Sequence, residues 1–182
     1  IFRNEEDLKV IGCEDHIERA KQAADKGITL VKNTLDQLPI RPETHKRIRL
    51  YYLEGEKGGL LGDSDSLQTI VKELESRGFE VTVNDGNTRV KGPTLKYREE
   101  VDAALVFSNV VGYGAENNYR IKWKMAMSNE VPWYVHEVPT VFVSLNYTTH
   151  LTDVPMVKCY INAYKDTEIT IKAVVDKIMG ES

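Results

Sequence analysis

Cysteine is scarce in this 182-residue chain, which contains only Cys13 and Cys159. Two thiols this far apart do not form the dense framework of small disulfide-stapled domains, so we expect both to be buried thiols. Long hydrophobic runs are also missing: no stretch approaches the roughly 20 apolar residues of a membrane-spanning helix, and no secretory signal opens the chain. These absences exclude a disulfide scaffold and predict no membrane segment.

An excess of one charge is missing as well. The chain has 24 Lys and Arg against 28 Asp and Glu, a net charge of −4, and both signs are spread along it. A nucleic-acid or anionic-membrane surface would need clustered basic residues. We therefore expect neither nucleic acid nor membrane as a partner. The length of the chain predicts a single globular domain that buries about 70 % of its unfolded surface.

The signatures of metal and serine catalysis are absent too. No pair of histidines has the i, i+4 spacing of a zinc helix, and no C-x-x-C accompanies them. The histidines are His16, His45, His136 and His150. Ser108 and Ser144 end predicted strands, but neither lies in a G-x-S-x-G elbow. We predict no metal site and no serine nucleophile.

A glycine-rich stretch follows the apolar run that ends at Leu53, but it lacks a phosphate-binding pattern. Lys57 occupies the place of the middle glycine in G-x-G-x-x-G, and no G-K-S/T follows. Glu54 and Glu56 would also repel a phosphate. The stretch is typical of a flexible turn, and we predict no cofactor.

The chain does contain a clear alternation of strands and helices, strongest near its end. Pro139 to Leu145 is apolar without polar alternation, which predicts a central strand covered on both faces. Met156 to Tyr164 alternates, which predicts a strand with unequal faces nearer an edge. Asp166 or Thr167 can cap the following helix, and Gly180 can end it. One face of this helix is predicted to be apolar, through Ile171, Val174, Val175 and Ile178.

Upstream patterns extend the alternation. They predict an amphipathic helix from Asp15 to Asn33, a strand from Ile48 to Leu53, a helix from Asp63 to Gly78, a strand from Phe79 to Val83, a short helix from Thr94 to Val101 and a central strand from Ala103 to Val111. Tyr119 to His136 stays open between a strand that begins at Ile121 and a short helix within Met125 to Val135. The pattern predicts an α/β fold, a three-layer αβα sandwich with a mostly parallel, flavodoxin-like or Rossmann-like sheet of five to six strands. Ligands of such sheets meet the carboxyl ends of the strands, here the loops after Leu53, Val111 and Leu145.

Several segments together resemble a known family. EVPWYVHEVPTVFVSLN, LTDVPMVKCYINAY and IKAVVDKIMGES, with QAADKGITLVKN and VDAALVFSNVVGYGAENNYRIKW upstream, are similar to the C-terminal α/β domain of family 3 glycoside hydrolases. Within the family they look most like the β-N-acetylhexosaminidase branch. The resemblance implies that residues 1–15 are a linker from an N-terminal barrel domain and that residues 16–182 are one α/β domain. It also implies a carbohydrate substrate for the parent enzyme.

Catalytic residues are where the resemblance predicts least for this chain. Glycoside hydrolysis usually needs two carboxyl groups, one on each side of the bond that breaks. In family 3 the nucleophilic Asp belongs to the barrel domain. The glucosidase branch takes its acid/base Glu from the C-terminal domain, and Glu116 stands roughly at that place. The N-acetylglucosaminidase branch instead carries a His-Asp pair on a barrel loop. We therefore expect no catalytic residue here, with Glu116 as the one acid/base candidate.

Two further expectations remain open. A stand-alone flavodoxin-like domain that binds a nucleotide or flavin is the alternative to a glycosidase domain. If a barrel domain is the partner, its docking should leave an exposed apolar patch in the isolated chain. Trp123, Trp133 and Tyr134 are the candidates for that patch.

Overall fold

A computed structural model of the chain describes residues 4–54, 65–86, 95–111, 120–123 and 130–181. The strands are β1 (Thr29–Asn33), β2 (Arg47–Glu54), β3 (Glu80–Val83), β4 (Ala103–Asn109), β5 (Thr140–Ser144) and β6 (Cys159–Asn162). The helices are α1 (Glu14–Gly27), α2 (Ser66–Ser76), α3 (Leu95–Glu100) and α4 (Glu168–Met179), with 3-10 turns at Glu5–Val10, Trp133–His136 and His150–Thr152.

The strands form one sheet in the order β1-β6-β5-β4-β2-β3. All neighbouring strands are parallel except β1, which pairs antiparallel with β6. One face of the sheet packs against α2 and α4. The other face packs against α3 and the 3-10 turn Trp133–His136. The predicted α/β fold with a mostly parallel sheet is confirmed.

The central strands have the burial that their sequences predict. Every residue of β4 and of β5 is buried. Apolar residues on both faces of a strand require cover on both sides, and the two helical layers provide it. The prediction for β6 is confirmed for its position, since it is the second strand from an edge, but wrong for its unequal faces, because all four of its residues are buried. β1 covers its outer side, a contact that the alternation of β6 cannot reveal.

The first helix is shorter than its apolar spacing predicts. It ends at Gly27, and Thr29 to Asn33 form the edge strand β1 instead of two more helical turns. Ile28, Thr29 and Val31 are β-branched and favour an extended backbone. Backbone pairing with β6 decides the outcome. The helical spacing of apolar residues continues through Val31 and therefore predicted a helix that is too long.

The last helix begins and ends at the predicted residues. Thr167 Oγ1 accepts a hydrogen bond from Thr170 N at 3.3 Å, and Gly180 ends the helix with φ of 70°. That positive φ is a conformation that glycine adopts without strain. The four apolar residues of the predicted face are all fully buried. α4 therefore anchors one helical layer.

Arg47 and Asp102 join β2 to the start of β4 at the amino edge of the sheet. Arg47 Nη2 lies 2.6 Å from Asp102 Oδ1, and the Arg47 backbone N–H donates to Asp102 Oδ2 at 2.7 Å. Hydrogen bonding to Arg47 holds the pKa of the Asp102 carboxyl below its ordinary value of 3.8. The ionised carboxylate is therefore favoured in the folded state.

We expect Asp102→Asn to lower the free energy of unfolding by about 1 to 2 kcal/mol at pH 7, less than a buried charged pair because the site is partly exposed. A depressed folded-state pKa stabilises the fold above the unfolded-state pKa, and this stabilisation is lost as pH falls through the folded-state value. Urea unfolding at pH 7 and near pH 3 should show the gap between variant and wild type narrowing in acid. Glu43→Gln, at an exposed site, is the control; an unchanged gap would contradict the prediction.

Candidate functional site

The carboxyl edge of the sheet contains the position where strand order reverses. From β2 the chain moves outward to β3, then returns past β2 to β4 and continues the other way to β5 and β6. Ligands of open α/β sheets bind in the crevice beside such a reversal. The glycine-rich stretch after β2 and the segment that contains Glu116 lie outside the described residues. Among the described residues, this edge is formed by the strand ends themselves.

Five polar side chains meet at this reversal, and we call them the carboxyl-edge cluster: Tyr52, Ser66, Asn109, Asn146 and Asp166. Asn109 Nδ2 donates to Tyr52 Oη at 2.9 Å and to Asp166 Oδ2 at 3.2 Å. Ser66 Oγ donates to the same carboxylate oxygen at 3.2 Å. Asn146 Nδ2 donates to Asn109 Oδ1. Asn109 is thus the central member of the cluster.

Each member of the carboxyl-edge cluster comes from a different part of the fold. Tyr52 lies on β2, Asn109 ends β4, Asn146 follows β5, Ser66 begins α2 and Asp166 precedes α4. Burial raises the pKa of the Tyr52 phenol, while its hydrogen bond with Asn109 opposes that shift. A buried amide must be hydrogen-bonded, and Asn109 satisfies this requirement by tying three strands and a helix start together. The cluster can hold the strand ends at the crevice in fixed positions.

The opposite face of the same edge carries a buried histidine between two serines. His150 Nδ1 lies 2.9 Å from Ser144 Oγ and 3.3 Å from Ser108 Oγ. Ser144 Oγ donates its single proton to the Tyr147 carbonyl. The His150 ring is thus within hydrogen-bonding distance of both strand-end serines.

This arrangement does not suit nucleophilic catalysis. An activated serine needs a histidine base beside it and a path for the substrate to reach both. Ser108, Ser144 and His150 are also almost completely buried, so a substrate has no access to them. We interpret the three side chains as a tie between β4, β5 and the 3-10 turn at His150.

The other sequence candidates lie apart from the carboxyl edge. His16 and His136 are exposed, and His45 Nδ1 lies 2.9 Å from Thr44 Oγ1. Among the residues that the structure describes, no group of three or more His, Cys, Asp or Glu could hold a metal ion. Over those same ranges, no helix is long and apolar enough to cross a bilayer. Cys159 is buried as expected, with its thiol pKa raised by burial to about 12, whereas Cys13 is only half-buried.

Of the three aromatic residues proposed for an exposed patch, one belongs instead to the core. Tyr134 is fully buried and stacks on Tyr51 with ring centroids 4.3 Å apart. Trp123 and Trp133 are half-buried and pack against the same cluster of apolar residues. The prediction was wrong for Tyr134, because an aromatic residue in a segment without periodicity carries no signal of which side it faces.

Comparison with known proteins gives the chain a family context. No family model matches it. A β-N-acetylglucosaminidase/β-glucosidase from Cellulomonas fimi is 32% identical over 178 residues, which cover 95% of this chain and 32% of the relative. The solved β-glucoside phosphorylase BglX is 31% identical with a TM-score of 0.81, over 94% of this chain and 30% of that one. The chain is similar to the C-terminal region of family 3 glycoside hydrolases. The resemblance seen in the sequence is confirmed.

A more distant structure supports the fold alone. The glycoside hydrolase family 3 β-N-acetylglucosaminidase from Paenibacillus sp. str. FPU-7 superimposes with a TM-score of 0.61 at 15% identity. This chain spans about a third of the length of the relatives named above.

The carboxyl-edge cluster was not predicted as a unit. Asp166 was noted only as a possible helix cap. Asn109 and Asn146 each end or follow an apolar run, which is the available signal, since strand ends that line up in a parallel sheet meet at one edge. Which of them touch depends on the strand order, and an apolar run does not encode that order.

Proposed function

We propose that this chain is the non-catalytic C-terminal domain of a longer family 3 enzyme that cleaves terminal β-glycosides, with N-acetylglucosamine as the preferred sugar. The observation that carries the proposal is the 32% identity to the Cellulomonas fimi β-N-acetylglucosaminidase/β-glucosidase over 95% of this chain. The domain would pack against the barrel domain of the parent through part of its surface. The alternative of a stand-alone nucleotide- or flavin-binding domain gains no support from the relatives above.

The described residues support an accessory role. Hydrogen bonds among its own members join the strand ends of the carboxyl-edge cluster. The buried serines and histidine on the other face are closed to substrate. Retaining cleavage needs a nucleophile at the anomeric carbon, and the family resemblance assigns that residue to the barrel domain. In the parent enzyme, the carboxyl edge of this domain supplies a rigid surface that faces the substrate.

A second reaction, phosphorolysis, is favoured by the similarity to the β-glucoside phosphorylase BglX. In both reactions the sugar leaves its aglycone, and they differ in whether water or phosphate accepts it. The test is to incubate the full-length parent with a chromogenic β-glucoside and the matching N-acetylglucosaminide, with and without inorganic phosphate, and to identify the products by mass spectrometry. We expect free sugar at a rate that phosphate leaves unchanged. Faster release with sugar 1-phosphate as the product would replace hydrolysis by phosphorolysis.

Glu116 tests which branch of the family the parent follows. We expect Glu116→Gln in the full-length enzyme to change kcat/KM by only a few-fold, because the proton donor of the N-acetylglucosaminidase branch comes from the barrel domain. If Glu116 were the general acid, the loss would be about 10²- to 10⁴-fold. It would fall mainly on natural disaccharides, since a good leaving group needs little protonation. A loss above a hundredfold confined to poor leaving groups would contradict the expectation, with Asp65→Asn as the surface control.

A further inference from the structure

Exposed apolar side chains are unevenly distributed over the described surface. Apart from Val83 and Val111, every large hydrophobic residue that is exposed there lies in the first 35 residues or immediately beside β6. α1 contributes to this distribution, because none of its residues is buried although its sequence is amphipathic. Scattered apolar residues on a surface need no explanation, whereas a concentration marks an interaction site.

Five residues of this set lie on β1 or in the segments beside it, and we call them the β1-edge surface: Leu30, Val31, Leu35, Met156 and Tyr164. β1 carries the first two, and the turn after it carries Leu35. Thr34 N donates to Lys158 O at 2.9 Å, which brings this turn beside the segment that leads into β6. At the other end of β1, Thr29 Oγ1 lies 2.9 Å from Tyr164 Oη.

Three apolar residues of the β1-edge surface are exposed over about half of their area or more. Leu35 is 63% exposed, Leu30 49% and Val31 47%. Burying one such side chain is favourable by about 1.5 to 3 kcal/mol relative to full exposure, so half of that per residue is still available for binding. A partner that covered the region would recover this free energy.

The backbone of β1 opposes an additional strand as the partner. The register with β6 shifts between Leu30 and Lys32, which leaves Val31 without a partner residue in a bulge. Bulges bend an edge strand and obstruct further strand pairing. Lys32 Nζ donates to Pro155 O at 2.9 Å, so its charge is drawn back to its own chain. The edge is therefore built to be covered by side-chain packing and not by continuation of the sheet.

We propose that the β1-edge surface is the face on which a preceding domain of the parent polypeptide docks. This proposal rests on the proposed function. The relatives are about three times as long as the chain that matches them, so the remainder of each polypeptide is available to cover this face. A second copy of the chain is a less favourable partner for this surface. Two copies would usually associate by pairing their edge strands about a two-fold axis, and the bulge in β1 obstructs that pairing.

Cysteine accessibility tests the proposal with a matched pair of edge-strand valines. Val31→Cys lies in the β1-edge surface, and Val83→Cys lies on β3 at the opposite edge of the sheet. Both are made in a Cys13→Ser background, since Cys159 is buried. The rate of maleimide labelling is measured in the 182-residue chain and in the full-length parent, after circular dichroism has shown that each variant is folded.

We expect Val31→Cys to label at least about tenfold more slowly in the full-length parent than in the 182-residue chain, because an interdomain contact excludes solvent from its centre. Val83→Cys should label at similar rates in both. Equal rates for Val31→Cys would overturn the proposal. So would slow, concentration-dependent labelling in the 182-residue chain, which would identify a second copy as the occupant.

The glycosidase assay on the same full-length preparations separates the two proposals. Activity together with an unprotected Val31→Cys would remove the docking surface and leave the proposed function standing. Protection of Val31→Cys without any glycosidase activity would support the docking surface and reject the proposed function.

Discussion

The isolated 182-residue chain is expected to release no more chromophore from a β-N-acetylglucosaminide or β-glucoside than an enzyme-free blank does. Attack at the anomeric carbon needs a nucleophile. An acid/base carboxyl group, such as the candidate Glu116, does not replace that nucleophile. The described residues contain no accessible serine and histidine pair that could take over this role, since Ser144 and His150 are buried. The measurement is a continuous absorbance assay at high protein concentration over several hours.

Contaminating host glycosidases are the main source of a false signal in that assay. A mock purification from cells that carry an empty vector gives the background, and the full-length parent gives the positive control under identical conditions. Turnover that exceeds the mock preparation and follows the chain through size exclusion would reject the accessory role. Turnover in the full-length parent alone would support it.

Tyr134→Ala is expected to lower the free energy of unfolding by about 3 to 5 kcal/mol, because it removes a fully buried ring and leaves a cavity. The ring stacks on Tyr51 at 4.3 Å and on Tyr97 at 5.9 Å, and its hydroxyl donates to the Glu130 carbonyl at 3.3 Å. For a chain of this size the midpoint of thermal unfolding should fall by about 10 °C. Urea unfolding followed by circular dichroism measures the change.

Two substitutions separate the causes of that loss. Tyr134→Phe keeps the ring and deletes one hydrogen bond, so it should cost only about 1 kcal/mol. Tyr164→Ala removes an exposed ring and should change stability by less than about 0.5 kcal/mol in the isolated chain. If Tyr134→Ala cost no more than Tyr164→Ala, the stacked aromatic cluster would not be part of the stabilising core.

The accuracy of the sequence-based predictions followed the kind of evidence behind them. β4 and β5 were predicted from continuous apolar runs, and α4 from its stripe with Thr167 before it and Gly180 after it. These signals are local, because an apolar run and a capping residue are both patterns of residues that are neighbours in sequence. The family resemblance was likewise contained in segments that can be compared one by one, and it was confirmed over nearly the whole chain.

The sequence by itself therefore determined the fold class, the central strands, the capped last helix and the resemblance to family 3 glycoside hydrolases. The tertiary structure decided that residues 29–33 form a strand, because a helical period and an edge strand compete there and only pairing with β6 selects between them. It also decided that Asn109, Tyr52 and Asp166 share hydrogen bonds, since strand order brings together residues far apart in sequence. Local patterns encode the periodicity of an element, whereas its neighbours are set by packing energies summed over the whole sheet.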